Sequence, residues 1–571
     1  MFLFAITKDE IAQNFQSVKL EEFNIHGLKV TIVTDNFLSD IISEPDGFSL
    51  IESPLISSPR YRDIIFSQIT FDSKKDIVTV FKSTISGRPV YYHLNNKGEF
   101  FCSTHINMLR YAGVSIEENS TVLPEFFVYR FVMPPQTLFK DINKLVMGNR
   151  LFIKIINNKC KIIHEETYNP FSNCKKESKN IEFITEHVLN LLENTFEPLQ
   201  SYRNRLAVLL SGGLDSSIFF KLCERYYGID TTYSTGYPFE DPKKNIEKEY
   251  AQSAAEAFHV NHKYYMGTTK DYLEGFIESI SKTEEPIHHH QSVLLYLLFK
   301  NGLPKDKDII VIGEGADTNF STDLPNSFFQ SEKFKILLKL PFFQILKSAF
   351  YLSDKGRSLV DMLEMKKVPR QNINNIIWSL GAYGSIDWTS HYFNVERNDI
   401  IQGRYQIIKP FENYSICDIV SIYTFFSDIS ISQSIWSKIG ESQKKIIFYP
   451  FTNINLLEYS QSIPWEVKLK QPKYILRNVA RQLNIPDFII TRPKSCFGIQ
   501  NDNWSKKDGV FEPLVPLASK VFDEKEIHRM QSTNPEKAMI FWNILNYSIW
   551  KRLIINNEDP NVLLKELAET I

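Results

Sequence analysis

LAVLLSGGLDSSIFFKLCERYYG (206–228) decides how this chain is read. The apolar run LAVLL (206–210) has the length and composition of a strand buried on both faces. SGGLDSS (211–217) reads as a turn and IFFKLCERYYG (218–228) as a helix. A strand, a glycine turn and a helix in that order put the turn in the crevice where open α/β sheets bind ligands. Gly212 and Gly213 lack Cβ atoms, so their backbone N–H groups can approach an anion closely. Ser211, Ser216 and Ser217 add hydroxyls, and the helix adds the positive end of its dipole. A lone carboxylate, Asp215, would repel phosphate unless a divalent cation lay between them, which argues for Mg²⁺. No Gly-Lys-Ser/Thr follows, so this is not a Walker loop. The plainer alternative is a tight glycine turn with helix-capping serines.

Outward from the turn, TTYST (231–235), HKYYM (262–266) and IIVIG (309–313) read as further strands. Helical patterns separate them at 246–258, 271–281 and 291–302. That alternation predicts βαβ units and a doubly wound parallel sheet covered on both faces. From about 325 to 571 the pattern is mainly helical and rich in aromatic residues. Toward the N-terminus, residues 1 to about 165 are β-rich, with strands predicted at 28–33, 76–81, 89–94 and 150–156. A polar linker (169–180) and a helix (181–199) complete the passage between the halves. The expected fold class is α/β. An N-terminal α+β sandwich spans about 1–170, and a nucleotide-binding parallel-sheet domain with a helical C-terminal extension spans 180–571.

The 571 residues suit two or three domains. A charge balance of 65 Lys and Arg against 67 Asp and Glu gives no electrostatic case for a nucleic-acid or anionic-membrane partner. No apolar run approaches the roughly 20 residues that span a bilayer. The start, MFLFAITKDE, lacks the basic region and cleavage site of a signal peptide. Six scattered cysteines without a CxxC pair indicate neither a disulfide framework nor a zinc site, so a cytoplasmic setting is expected. The sequence leaves oligomeric state, a homo-oligomer included, open.

SGGLDSS resembles the pyrophosphate loop of the asparagine synthetase family, which also includes β-lactam synthetases and lasso-peptide cyclases. Four further elements follow the family order. IGEGAD (312–317) is similar to its Gly-Glu-Gly-(Ser/Ala)-Asp strand end, and RPKSCFG (492–498), preceded by KYILRNVARQLNIPDFII (473–490), to its Arg-x-Lys-x-x-Phe motif. YPFTNINLLEYSQSIP (449–464) and TLFKDINKLVMGNRL (137–151) are similar to two more family segments.

The resemblance implies an ATP-dependent amide ligase that makes an acyl-adenylate, releases pyrophosphate and then AMP, and uses Mg²⁺. It assigns Ser211, Gly212, Gly213 and Ser216 to the pyrophosphate portion of ATP. Asp215 and Asp317 go to Mg²⁺, and Leu210, Thr235, Ile312 and Gly313 to adenine and ribose. Glu314 matches the active-site glutamate that would position or deprotonate an attacking amine. Lys494 matches the lysine that steadies the acyl-transfer transition state. Leu210 and Ile312 also read as ordinary buried strand residues, and Glu314 and Lys494 as surface charges. The N-terminal part resembles the family's glutaminase domain, of the Ntn-hydrolase type, in degenerate form.

The departures are as informative. Glutamine-using members carry a cysteine directly after the initiator Met, and here residue 2 is Phe2. Cys102, in FFCSTH, reads as a core residue. Thr318 and Asn453 stand where the family has acidic residues, which leaves aspartate as substrate in doubt. The leading expectation is therefore a ligase without glutaminase activity, joining a small-molecule acid and an amine, or cyclising a precursor peptide. An asparagine synthetase using free ammonia, a non-catalytic ATP-binding scaffold and a tRNA-thiolating enzyme are the rivals. His288, His289 and His290 cannot all face one metal on a regular element, so an exposed loop or a substrate contact is the expected reading. The aromatic residues of 378–393 read as core or as the wall of a peptide groove, and KKVPR (366–370) as a solvated face.

Overall fold

Alternating burial builds the N-terminal half. Ser67–Asp72 buries every second side chain, and Arg150–Ile156 does the same. The computed structural model describes residues 1–8, 11, 19–35, 39–44, 46–53, 65–85, 87–166, 176, 180–237, 246–320, 377, 383–492 and 501–571. Two antiparallel six-stranded sheets form the sandwich. The first runs Asn143–Lys144, Tyr91–Leu94, Phe100–Ser103, Phe2–Thr7, Leu28–Thr34, Lys19–Ile25. The second runs Lys159–Glu166, Arg150–Ile156, Ile77–Lys82, Ser67–Asp72, Gly47–Glu52, Ser39–Glu44. Phe2, Phe4 and Ile6 enter the core between the sheets beside Phe48, Val80 and Leu151. Cys102 is buried in the same core, where burial pushes its thiol well above the ordinary range.

The second half holds a parallel sheet of five strands. In chain order they are Leu206–Leu209, Thr231–Thr235, Asn261–Tyr265, Ile309–Val311 and Ile446–Phe448, arranged 3-2-1-4-5. The first four fall where the sequence predicts strands. The fifth adds one strand to a C-terminal part that, among the described residues, is otherwise helical as expected. Three residues are too few to show a period, and Ile446–Phe448 is a strand because Ile309–Val311 offers it an edge, with Ile310 level with Ile447. Side chains divide between two faces. Leu206, Val208, Val311 and Phe448 face one core with helices Ile181–Phe196, Leu214–Tyr227 and Tyr474–Gln482. Ala207, Ile310 and Ile447 face the other. Both faces are therefore covered, as the near-continuous apolar strands require.

That second core does not stop at the parallel sheet. It takes in Leu3, Ala5, Tyr91 and Phe101 from the outer face of the first N-terminal sheet, together with the buried helix Pro535–Trp550. Backbones come close at the junction, where a Cβ on Gly87 would lie 2.1 Å from the Gln433 carbonyl carbon. The polar fastening is Glu284. It accepts hydrogen bonds from the N–H groups of Ile106 (2.8 Å) and Asn107 (3.1 Å) at the start of helix Ile106–Tyr111, and from Lys438 Nζ at 2.5 Å. Burial pushes the Glu284 carboxyl up, but Lys438, His105 and these donors outweigh it and hold it below its ordinary value. No helix among the described residues is long and apolar enough to cross a membrane.

Removing one partner of a buried ion pair leaves the other uncompensated, at a cost of about 3–5 kcal/mol. Lys438→Met should therefore lower the thermal midpoint by several degrees at neutral pH. The loss should shrink as pH falls and Glu284 takes up a proton, since a carboxylate held low contributes its stability above its ordinary value. A Lys438→Met midpoint equal to wild type by calorimetry would contradict this fastening.

Candidate active site

Helix Leu214–Tyr227 begins four residues earlier than the apolar spacing suggests, because extended Gly213 (φ −82°, ψ 164°) is its N-cap. Asp215 and Ser216 thus lie in the first turn of the helix, not in a free loop, and Ser217 is fully buried away from the crevice. The loop braces itself. Ser216 Oγ accepts from the Ser211 N–H (3.2 Å) and donates to the Gly213 carbonyl (3.1 Å), while Ser211 Oγ accepts from the Gly213 N–H (3.3 Å). Gly212 has φ +70°, and a Cβ there would lie 2.3 Å from the Tyr250 carbonyl oxygen. Only glycine fits.

The expected neighbours gather at the carboxyl ends of the strands. Leu210 is fully buried and its N–H donates to the Tyr233 carbonyl at 2.9 Å. Thr235 ends its strand and is nearly buried. Ile312 donates to the Phe448 carbonyl at 3.1 Å, and a Cβ on Gly313 would stand 3.3 Å from that of Asp215. The ends of the first and fourth strands therefore abut, which brings Glu314 and Asp317 to the same crevice as the loop.

Sequence reasoning missed the group that joins them. Lys473 Nζ lies 2.5 Å from Asp215 Oδ2 and 2.9 Å from Asp317 Oδ1. Burial pulls its ammonium down, but the two carboxylates outweigh that and raise it, so it is charged. Lys473 opens helix Tyr474–Gln482 from a left-handed backbone conformation (φ 54°), which no local sequence signal announces. Two carboxylates that share one cation also present the hard oxygen donors that suit Mg²⁺. Glu314 is partly buried, and burial, then the negative charges of Asp428 and Asp317, push its carboxyl up to about 8 against the pull of Lys473. At neutral pH it holds its proton.

Lys494 lies outside the described residues. Arg492, at the start of the same motif, reaches the loop. It donates to the Ser211 carbonyl (3.3 Å), pairs with Glu247 (3.1 Å) and lies 3.5 Å over the Tyr250 ring. The C-terminal segment thus folds back onto the Ser211–Ser217 loop. The two departures have structural explanations. Asn453 caps helix Ile454–Ser462, and Thr318 is buried within helix Ala316–Phe320. In the aromatic segment, partly buried Trp388 and Phe393 pack on Phe127 at the edge of the core, and exposed Tyr392 stacks on Phe522. KKVPR (366–370) and 378–382 lie outside the described residues. A cavity of about 910 Å³, lined by Glu125, Gln136, Gln402 and Phe426 among others, includes none of the loop residues in its wall.

The sequence model of the asparagine synthase family matches residues 187–375 and 448–543, a span that holds the loop, Glu314, Asp317, Lys473 and Arg492. The chain belongs to the asparagine synthetase family. A glutamine amidotransferase domain model matches residues 63–168 of the sandwich. Asparagine synthetase (glutamine-hydrolyzing) 1 of Bacillus subtilis is 21% identical over 490 residues, covering 82% of this chain and 74% of the relative. Asparagine synthetase (glutamine-hydrolyzing) 3 of the same organism is 20% identical over 510 residues, 84% and 75%. A putative asparagine synthetase (glutamine-hydrolyzing) of Mycobacterium tuberculosis is 20% identical over 477 residues, 79% and 70%. At the level of the family, this is an ATP-dependent amide ligase.

Gly212→Ala combines a left-handed φ with a backbone clash and should abolish ATP binding while leaving the fold cooperative. Retention of wild-type ATP affinity by calorimetric titration would show that the loop is not the nucleotide cradle.

Proposed function

We propose that the chain is an AMP-forming ligase that adenylates a substrate carboxylate and passes the acyl group to an amine, without hydrolysing glutamine. A carboxylate oxygen attacks the α-phosphorus of ATP, the α–β bridging bond breaks and pyrophosphate leaves. The amine then attacks the acyl carbon, the bond to AMP breaks, and the amine's proton passes to a base. Activation is needed because a free carboxylate is a poor electrophile at neutral pH. The observation that carries the reading is Lys473 between Asp215 and Asp317, with Arg492 on the loop.

The chain's own groups have distinct tasks. Ser211, Gly212, Gly213 and Ser216 hold the pyrophosphate portion, and Leu210, Thr235, Ile312 and Gly313 the nucleoside. Asp215 and Asp317 hold Mg²⁺, which supplies positive charge against the phosphates. Lys473 and Lys494 meet charge that develops on the transferring group. Glu314 takes the proton from the amine once ionised.

The missing glutaminase step rests on chemistry at residue 2. Phe2 has no nucleophile and is buried between the sheets, and Cys102 is a buried thiol pushed up in its range. The relatives named above are called glutamine-hydrolyzing, so this chain differs from those names here. The amine then comes from solution or from a larger substrate, and a specialised product such as a peptide macrolactam is the concrete form we favour. Thr318 and Asn453 support that choice over aspartate.

Asp215→Ala and Lys494→Ala should each remove AMP and pyrophosphate formation, by about 3 kcal/mol or more of transition-state stabilisation for the lysine, without loss of fold. Wild-type turnover in either variant would refute the assignment. Because Glu314 is raised, kcat/KM should climb through a limb near pH 8, and Glu314→Gln should flatten it. Glutamine should yield no glutamate, and aspartate with ammonia and ATP should yield little asparagine. Efficient asparagine formation would replace the specialised-product reading.

A further inference from the structure

His288, His289 and His290 precede helix Gln291–Leu297, and the third parts from the first two. His290 stacks on Trp542, ring centroids 3.8 Å apart, as a core residue. His288 and His289 both turn Nε2 toward Asp428 Oδ1, at 3.2 and 3.6 Å. The ligand atoms of the three residues all lie within 4.8 Å of one another. A tetrahedral ion with bonds of about 2.0–2.1 Å sets its ligand atoms roughly 3.3 Å apart, which is the spacing between these histidines and Asp428.

The surroundings suit a ligand set. Asp428 sits in a π-helical turn, Phe425–Ile429, a local insertion that re-aims side chains and often marks a functional position. Ser432 Oγ lies 3.3 Å from His288 Nδ1 and so orients the ring with Nε2 toward Asp428. His288 is 1% exposed, and its buried Nε2 faces Asp428 Oδ1 at 3.2 Å. Arg130 acts on His289 and Asp428 with its positive charge and opposes a cation. The carboxylate and two aligned nitrogens must outweigh it.

We propose that His288, His289 and Asp428 bind one divalent transition-metal ion of the zinc class, separate from the all-oxygen pair Asp215 and Asp317. Nitrogen donors select such an ion over Mg²⁺.

The full chain, stripped with chelator and held in excess Mg²⁺, is titrated with Zn²⁺ by calorimetry and with Co²⁺ by visible absorption. One site per chain is expected, with the visible bands of four-coordinate cobalt. His289→Ala and Asp428→Asn should each lose it, Ser432→Ala should weaken it roughly tenfold, and Asp215→Asn should keep it. Circular dichroism and thermal unfolding check each fold. Asp428 is the most exposed of the three ligands, its side chain 36% exposed against 15% for His289, so Asp428→Asn is the variant expected to fold best. Absence of a stoichiometric site in the wild type, or its survival in His289→Ala and Asp428→Asn, would overturn the proposal.

Discussion

One buried ammonium, Lys473 Nζ, sets the geometry of the crevice. It is 258 residues downstream of Asp215, yet it lies within 3 Å of carboxylates from two different strand–helix junctions. Two carboxylates facing one point repel each other. The shared cation offsets that repulsion and fixes their direction. The same contact ties helix Tyr474–Gln482 to the sheet, and helix packing onto the apolar face containing Leu206, Val208 and Val311 supports it from beneath. Arg492 repeats the device one helix later by reaching Ser211 and stacking on Tyr250.

This arrangement divides the acidic groups by role. Asp215 and Asp317 sit against the ammonium. Glu314 is driven up by burial and then by the negative charges of Asp428 and Asp317, and holds its proton near neutrality. Lys473 touches Asp215 and Asp317 but acts on Glu314 only through its field, which burial and the neighbouring carboxylates outweigh. A group poised near the working pH is what proton transfer from an amine asks for.

The N-terminal sandwich is built into the rest of the molecule. Its inner core is its own, but the outer face of its first sheet is buried in the same apolar core as the synthetase helices. Glu284 caps its helix Ile106–Tyr111 while paired to Lys438, and Lys144 pairs with Glu285 at 2.6 Å. Both acids directly precede the segment that carries His288 and His289. The sandwich therefore holds the start of the segment that carries the two histidines.

Local patterns in the chain determined a great deal. Glycines at 212 and 213, the apolar strands and the alternating helices specify a parallel sheet with a tight glycine loop at its crevice, since period and backbone freedom are properties of short segments. The order of the motifs was enough to bring Ser211, Asp215, Glu314 and Asp317 to one place. Other features had no local signal. Ile446–Phe448 is a strand only because a neighbouring edge accepts it. Ser217 faces the core because helix Leu214–Tyr227 starts at Gly213. Lys473, Arg492 and Asp428 join the site through contacts across hundreds of residues. Charge pairing and edge pairing act through space, so the tertiary structure alone decided which lysine sits between the aspartates and which carboxylate keeps its proton.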